Sequence, residues 1–481
     1  MMKKIHSESS RVIYLMLFTL VCMLTFSIVQ PFGDGPDEIN RFKIVEYIYK
    51  YGTLPVGDAP EVLIDGYGAS YAFQPMLTYI IDGYLLRAIS IFEPSLEMRV
   101  FLSRLINVFM GLLAAIYVKK LGDLLYENKK TSWLFTLAIV FLPQNMFIHT
   151  YVNTDSMGLL SIALVLHALV KGIKDDFSKE TCVELAVGVI LCALSYYNCY
   201  GIVVCAVLLF AAYFMKMLPK ETLTAAEGGL VVSKTAYKLS YDYQSLLRKG
   251  LFISVIVLLG ISWWFIRNGI LYDGDILALE ARNVCAAQTG LESYNPYTRD
   301  TYQRLGIPLK EMVFGTDYFE LVWKSFIAMF GPMQIPTHHY IYMAFRDIFF
   351  LCVAGLLITV KTSVLTWAKS YHRFLVNFIM ALAIVIPVIL ALYYSYTFDF
   401  QPQGRYYLPM VIPFMYFLTI GFEKFVTIVG IPLGKINAKA QSLTCAALYH
   451  ILYAFLTLSL LYGTFISMLG YYRVNGDMLF W

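Results

Sequence analysis

The chain has 481 residues, 59% of them apolar, 16% aromatic and only 15% charged, with a formal net charge of +4 and a mean hydropathy of +0.63. Soluble domains run at about 45–50% apolar and about 25% charged, so a cytosolic enzyme is excluded. Eight cysteines over this length are too sparse for a secreted disulfide scaffold, and so small a charge excess gives no argument for nucleic acid.

A helix needs about 20 apolar residues to cross the hydrocarbon. Eleven stretches fit, near 12–31, 100–118, 132–149, 156–170, 181–199, 200–217, 250–270, 345–360, 374–396, 406–422 and 446–468. The fold class is therefore all-α, a polytopic membrane protein of about 11 transmembrane helices. The basic start MMKKIHSESSR resembles a signal peptide, but no small-x-small cleavage site follows in SIVQPFGDG. It reads as an uncleaved first span with a cytoplasmic N-terminus. A twelfth apolar stretch, 73–92, carries Asp82 and Arg87. Cytoplasmic loops are enriched in Lys and Arg. If 73–92 does not cross, 22 basic residues lie inside and 15 outside; if it crosses, the counts become 14 and 22. The segment is therefore expected on the outer membrane surface, or dipping in and returning. Two long outer loops result, 32–99 and 271–344, with an inner loop over 218–249 that reads as a solvated linker. No internal repeat divides the chain, which is read as one membrane domain over 1–481.

Charge is costly inside a span, so carboxylates and arginines at the outer ends of spans are the informative residues. After the first span, Asp34, Asp37 and Glu38 fall in the Gly/Pro-rich run PFGDGPDEINRF, ahead of an amphipathic helix. A helix dipole alone favours acids there, yet three carboxylates in five residues exceed one cap. In LPQNMFIHTYVNTDSMG, either Asn153 or Asp155 can cap the next span, and Asp155 can equally face a cavity shared with Asp37. In WWFIRNGILYDGD, Trp263 and Trp264 read as interfacial anchors, and Arg267 as a snorkelling arginine or an anion ligand. In YTFDFQPQGRYYLP, Gly404 and Arg405 stand where a helix begins. There a guanidinium and free backbone N–H groups can meet one anion. His338 and His339 have no accompanying ligand pattern, and no nucleotide-binding motif occurs.

In order and in membrane side, these segments resemble the GT-C superfamily of integral-membrane glycosyltransferases, in particular the bacterial DUF2142-like group. GPDEINRFKIVEYIYKYGTLP resembles the first outer loop, YAFQPMLTYII a surface helix with Met76 in place of the second proline, and RLINVFMGLLAAIYVKKLG the second span. LPQNMFIHTYVNTDSMG resembles the loop bearing the second acidic position, and WWFIRN and QGRYYLP late motifs of the group. The resemblance implies a GT-C-like first outer loop carrying surface helices, a sugar donor linked to polyprenyl phosphate, and work on the outer face of the cell membrane. It makes Asp37 the general base, Glu38 its neighbour and Asp155 the second acidic residue.

Such a donor already carries its leaving group. What remains is to deprotonate an acceptor hydroxyl and to neutralise the departing phosphate. Arg405 and Arg267 are the phosphate candidates, with Arg41 behind them. The expected partners are the lipid-linked donor, a cell-envelope glycan or lipid-linked acceptor, and membrane lipid. Acidic residues could hold a divalent cation through oxygen, although no dedicated cage is visible. A flippase or transporter for lipid-linked sugars, a glycan polymerase and a non-enzymatic scaffold are the rival readings. Transporters often show paired repeats and interrupted midplane helices, which this sequence lacks.

Overall fold

The computed structural model describes residues 2–222, 234–360, 370–475 and 478–479. Helix α1 (Met2–Val29) leads into a loop bearing α2 (Glu38–Tyr51) and α3 (Leu77–Ala88), and α4 (Leu96–Leu125) returns. Next come α5 (Lys129–Val140), α6 (Pro143–Ile148), α7 (Asp155–Asp175), α8 (Lys179–Ala193) and α9 (Gly201–Tyr213). A strand pair, β1 (Met215–Thr222) and β2 (Lys234–Tyr241), precedes α10 (Tyr243–Leu271). The second long loop carries α11 (Leu279–Thr289), α12 (Leu309–Phe314), α13 (Tyr318–Ile327) and the short strands β3 (Met329–Phe330) and β4 (Ile335–Pro336). Helices α14 (His339–Ile358), α15 (Tyr371–Thr397), α16 (Val411–Ile436), α17 (Ala438–Leu461) and α18 (Leu469–Asn475) complete the chain, and a 3-10 segment, Gly404–Met410, opens α16.

Among the described residues, eight helices are long and apolar enough to cross a membrane: α1, α4, α7, α10, α14, α15, α16 with its 3-10 turn, and α17 running into α18. The three other stretches expected to span form shorter helices. Over 132–149 the chain breaks between α5 and α6, because Leu142 takes an extended backbone ahead of Pro143. Over 181–217, α8 and α9 are separated by the turn Tyr197–Cys199, and α9 passes into β1. These shorter units still run between the same two ends of the bundle. Ser132 at the start of α5 bonds Asp123 of α4, whereas Ser27 of α1 donates to the Thr150 carbonyl just beyond α6.

The linker expected over 218–249 is instead largely β1, β2 and the start of α10, with Met215 opposite Tyr241. Residues 223–233 of that stretch, and Lys361 and Lys369 from the charge count, lie outside the described residues.

Helix α7 is the centre of the bundle, with 89% of its apolar window buried, whereas α10 has 6% buried. A helix apolar all round must bury itself in protein or in lipid; α7 takes the first course and α10 the second. Helices α14 and α16 approach so closely that a Cβ on Gly355 would stand 2.2 Å from the Gly421 carbonyl oxygen. This is the small-residue contact typical of membrane helix pairs.

Segment 73–92 forms the 12-residue α3. At 1.5 Å per residue it reaches about 18 Å, well short of a hydrocarbon core of about 30 Å. It packs on α2, with Tyr79 and Asp82 buried and Tyr84 and Leu85 exposed. Arg87 donates to the Tyr49 and Lys50 carbonyls, capping the end of α2. The chain is a multi-pass, mainly helical membrane protein, and its acidic loop gathers at one end of the bundle.

Candidate functional site

Asp37 stands at the N-cap position of α2, with φ 62° and ψ 12°, yet its side chain makes no capping bond. A left-handed backbone costs an L-residue on the order of 1–2 kcal/mol, and such strain gathers at functional sites. The carboxylate turns instead toward two arginines. Arg405 Nη2 donates to Oδ2 at 2.7 Å, and Arg41 Nη2 lies 3.7 Å from the same oxygen. Burial alone would raise the Asp37 pKa. The charges of Arg405 and Arg41, with hydrogen bonds from Arg405 and Tyr71, outweigh it and lower the pKa to about 2.

Asp155 begins α7, but it is not the cap. Asn153 Oδ1 accepts from the Ser156 backbone N–H at 3.0 Å. That leaves Asp155 free to take Arg41 Nη1 at 2.9 Å, both side chains being almost fully buried. The guanidinium of Arg41 also lies 5.2 Å from the Tyr71 ring centroid. Asp37, Arg41 and Asp155 are thus one chain of charges, and Arg405 extends it.

Glu38 points the other way. It is fully buried and grips Arg104 of α4 with both oxygens, Nε at 2.8 Å and Nη2 at 2.6 Å. It also accepts from the Val152 and Gly33 N–H groups. Arg104 in turn donates to the carbonyls of Ser27, Gln30 and Pro31, the orphan acceptors where α1 ends. Glu38 is therefore a staple that fixes the first loop to α1, α4 and the loop before α7, although it adjoins Asp37 in sequence.

Arg405 owes its place to Gly404. A Cβ there would fall 2.1 Å from the Phe326 nitrogen, and the Gly404 N–H bonds Ser325 Oγ at 2.7 Å. The 3-10 turn therefore sits directly on α13. Arg405 Nε and Nη1, and Arg41 Nε, are buried without a hydrogen-bond partner among the described residues. Buried guanidinium donors without acceptors are costly, and an anion entering the site would satisfy them.

Arg267 is not part of this group. Its Nη2 donates to the Pro55 carbonyl at 2.7 Å, and its guanidinium stacks near the Trp264 ring, so it holds the first loop against α10. Trp264, expected as an interfacial anchor, is fully buried, whereas Trp263 is exposed. His338 caps α14 by accepting from the Tyr340 N–H. Among the described residues no group of three His, Cys, Asp or Glu side chains could hold a metal ion. Asp37 and Asp155 are each engaged by arginines.

Asp37, Arg41 and Arg405 open into a cleft of about 680 Å3, within the range of small-molecule sites. Tyr71, Tyr196, Tyr197, Tyr394 and Tyr406 line it, with the side-chain amides of Asn40, Gln74, Asn198, Asn283 and Gln403. Sequence reasoning missed Arg104, whose signal was a charge inside a span, and Tyr406, whose hydroxyl accepts from Arg405 Nη2 at 3.2 Å. It also missed Arg282 and Asn283, brought in by α11. That helix is tied to the first loop where Thr289 Oγ1 donates to the Gly68 carbonyl and the Leu291 N–H to that of Gly66.

The chain belongs to the family described as "Predicted membrane protein (DUF2142)", whose model matches residues 67–414. No curated protein matches. The archaeal oligosaccharyltransferase AglB from Archaeoglobus fulgidus, in complex with an inhibitory peptide and a dolichol-phosphate, is similar over 97% of this chain and 56% of its own, at 13% identity and a TM-score of 0.51. Another structure of the Archaeoglobus fulgidus oligosaccharyltransferase, in complex with Zn and sulfate, is similar at 15% identity over 92% of this chain and 53% of its own, with a TM-score of 0.49. The fold is of the GT-C glycosyltransferase type, and the chain spans little more than half the length of these structures.

Proposed function

We propose that this DUF2142 protein is a membrane glycosyltransferase. It moves a sugar from a polyprenyl-phosphate donor to a hydroxyl of a cell-surface glycan or lipid-linked acceptor, on the outer face of the membrane. The observation that carries this reading is the Asp37–Arg405 ion pair in the cleft, with Arg405 Nε and Nη1 buried and unmatched. The dolichol-phosphate held by the similar AglB supports a lipid phosphate as the anion.

Asp37 at a pKa of about 2 is a feeble base while Arg405 holds it. A phosphate drawing Arg405 toward itself leaves a half-buried carboxylate with one fewer cation, and burial then raises its proton affinity. The donor thereby arms the base that consumes it. The acceptor oxygen forms its bond to the anomeric carbon as the bond from that carbon to the phosphate oxygen breaks. The hydroxyl proton passes to Asp37, and the charge of the departing polyprenyl phosphate falls on Arg405, with Arg41 behind it. One such displacement inverts the anomeric centre, and a single carboxylate suffices. Asp155 holds Arg41 in place.

The test is transfer by the purified chain in lipid nanodiscs, with a polyprenyl-phosphate sugar as donor. Asp37→Asn keeps the shape and removes the base, so transfer falls by at least about 100-fold while the protein stays folded. Transfer at the native rate by Asp37→Asn would remove Asp37 from the chemistry.

A further inference from the structure

Three arginines line the cleft, and they are not equivalent. Arg405 and Arg41 are matched by Asp37 and Asp155. Arg282 of α11 has no carboxylate within 4.0 Å and no side-chain hydrogen bond among the described residues, although it is half-buried and faces the same cavity. The nearby acids are engaged elsewhere. Asp275 Oδ2 accepts the Glu280 and Ala281 N–H groups at the start of α11, and Asp399 accepts Gln401 Nε2 at 2.7 Å. Glu280 takes the Tyr297 hydroxyl. Asp65, at the rim, is fully exposed beside Lys43.

The surroundings of Arg282 are also specific. It lies within electrostatic reach of the Tyr197 and Tyr394 hydroxyls, and Asn283 and Tyr294 line the cleft beside it. Its helix is fastened to the first loop at Gly66 and Gly68, so this wall is a built part of the cleft. A planar guanidinium in a partly desolvated wall of tyrosines and amides suits an oxyanion on a polar, hydroxyl-rich molecule.

We propose that Arg282 is a second anion subsite, which binds an acidic group that the substrates carry in addition to the phosphate at Arg405. The inference rests on the glycosyltransferase reading and narrows it: the substrate pair bears at least two anionic groups. The chemistry required is a carboxylate or phosphate oxyanion. Its source is either the second phosphate of a diphosphate-linked donor or an acidic sugar.

The test is binding to the full chain in nanodiscs by calorimetry, with farnesyl phosphate, farnesyl diphosphate, glucuronate and glucose as probes, in the native chain, Arg282→Gln and Arg405→Lys. The expected result is that Arg282→Gln leaves farnesyl phosphate affinity unchanged but weakens either farnesyl diphosphate or glucuronate by about 10-fold, the size of a lost charge-assisted hydrogen bond at about 1.4 kcal/mol. Loss of the preference for farnesyl diphosphate over farnesyl phosphate identifies a diphosphate. Loss of the preference for glucuronate over glucose identifies an acidic sugar. If Arg282→Gln binds all four probes as the native chain does, the second subsite is overturned. Failure of the underlying reading looks different: farnesyl phosphate then fails to bind the native chain, or binds Arg405→Lys equally well.

Discussion

Glu38 and Asp37 are neighbours with opposite burdens, and replacing each by its amide separates them. The two oxygens of Glu38 accept four hydrogen bonds, two from Arg104 and one each from the Val152 and Gly33 N–H groups. Glu38→Gln keeps the shape but strands Arg104, itself fully buried, without a counter-charge. Its amide nitrogen also meets N–H donors where an oxygen stood. Breaking a buried pair by removing one partner costs about 3–5 kcal/mol, a loss of roughly 10²–10⁴-fold in the folded-to-unfolded ratio. Asp37, whose side chain is 32% exposed, loses far less as Asn. The assay is recovery of monodisperse protein after a heating series, by size exclusion in detergent. Glu38→Gln should lose its native peak at a markedly lower temperature than the native chain, and Asp37→Asn should track the native chain. Glu38→Gln combined with Arg104→Met removes the stranded charge and should recover roughly 2 kcal/mol as coupling between neighbours. Recovery stays partial, because the carbonyls of Ser27, Gln30 and Pro31 lose their donor. If Glu38→Gln alone elutes like the native chain across the series, or the double variant is no better than the single, the staple argument is wrong.

Arg405→Lys keeps the charge and loses the planar fork. Transfer should drop at least about 10-fold with weaker farnesyl phosphate binding, and native-like transfer would refute the phosphate assignment. Asp82 of α3 is buried with both oxygens unpartnered among the described residues, and burial holds its pKa well above 3.8. A raised pKa favours the protonated fold, so the contribution of Asp82 to stability is complete below pH 3.8 and declines as pH rises toward the folded-state value. The decline is about 1.4 kcal/mol per pH unit. Asp82→Asn should therefore raise the midpoint of heat unfolding at pH 8 and leave it nearly unchanged at pH 4; an equal shift at both would disprove a protonated Asp82.

Most of the bundle and half of the site were legible in the sequence, for identifiable reasons. Apolar length betrayed the long helices, because hydrocarbon thickness sets it. It did not foresee the break that Pro143 makes between α5 and α6 within 132–149. Asp37, Arg41, Asp155 and Arg405 were legible because each is a charge at a span end, and they do meet. Arg267 has the same local signature, yet its partner is the Pro55 carbonyl, and only the path of the first loop decides that. Asp37 and Glu38 were indistinguishable as letters. The left-handed turn at Asp37 sends them to opposite sides, and Arg104, deep in α4, claims Glu38. Arg282 carried no signal at all, since α11 reaches the cleft only through backbone bonds to Gly66 and Gly68.

The Asp37–Arg405 pair joins residues 368 positions apart. At about 5–20 residues per second of synthesis, the carboxylate waits roughly 20–70 s for its guanidinium. During that interval the first loop is already stapled through Glu38, Arg104 and Val152, all made within the first third of the chain. Until then Asp37 has Arg41 alone as its cationic neighbour. The second guanidinium arrives late, with the ninth tenth of the polypeptide. A chain cut short before residue 405 keeps the stapled first loop and the Asp37–Arg41 contact but lacks the guanidinium that closes the pair across the cleft.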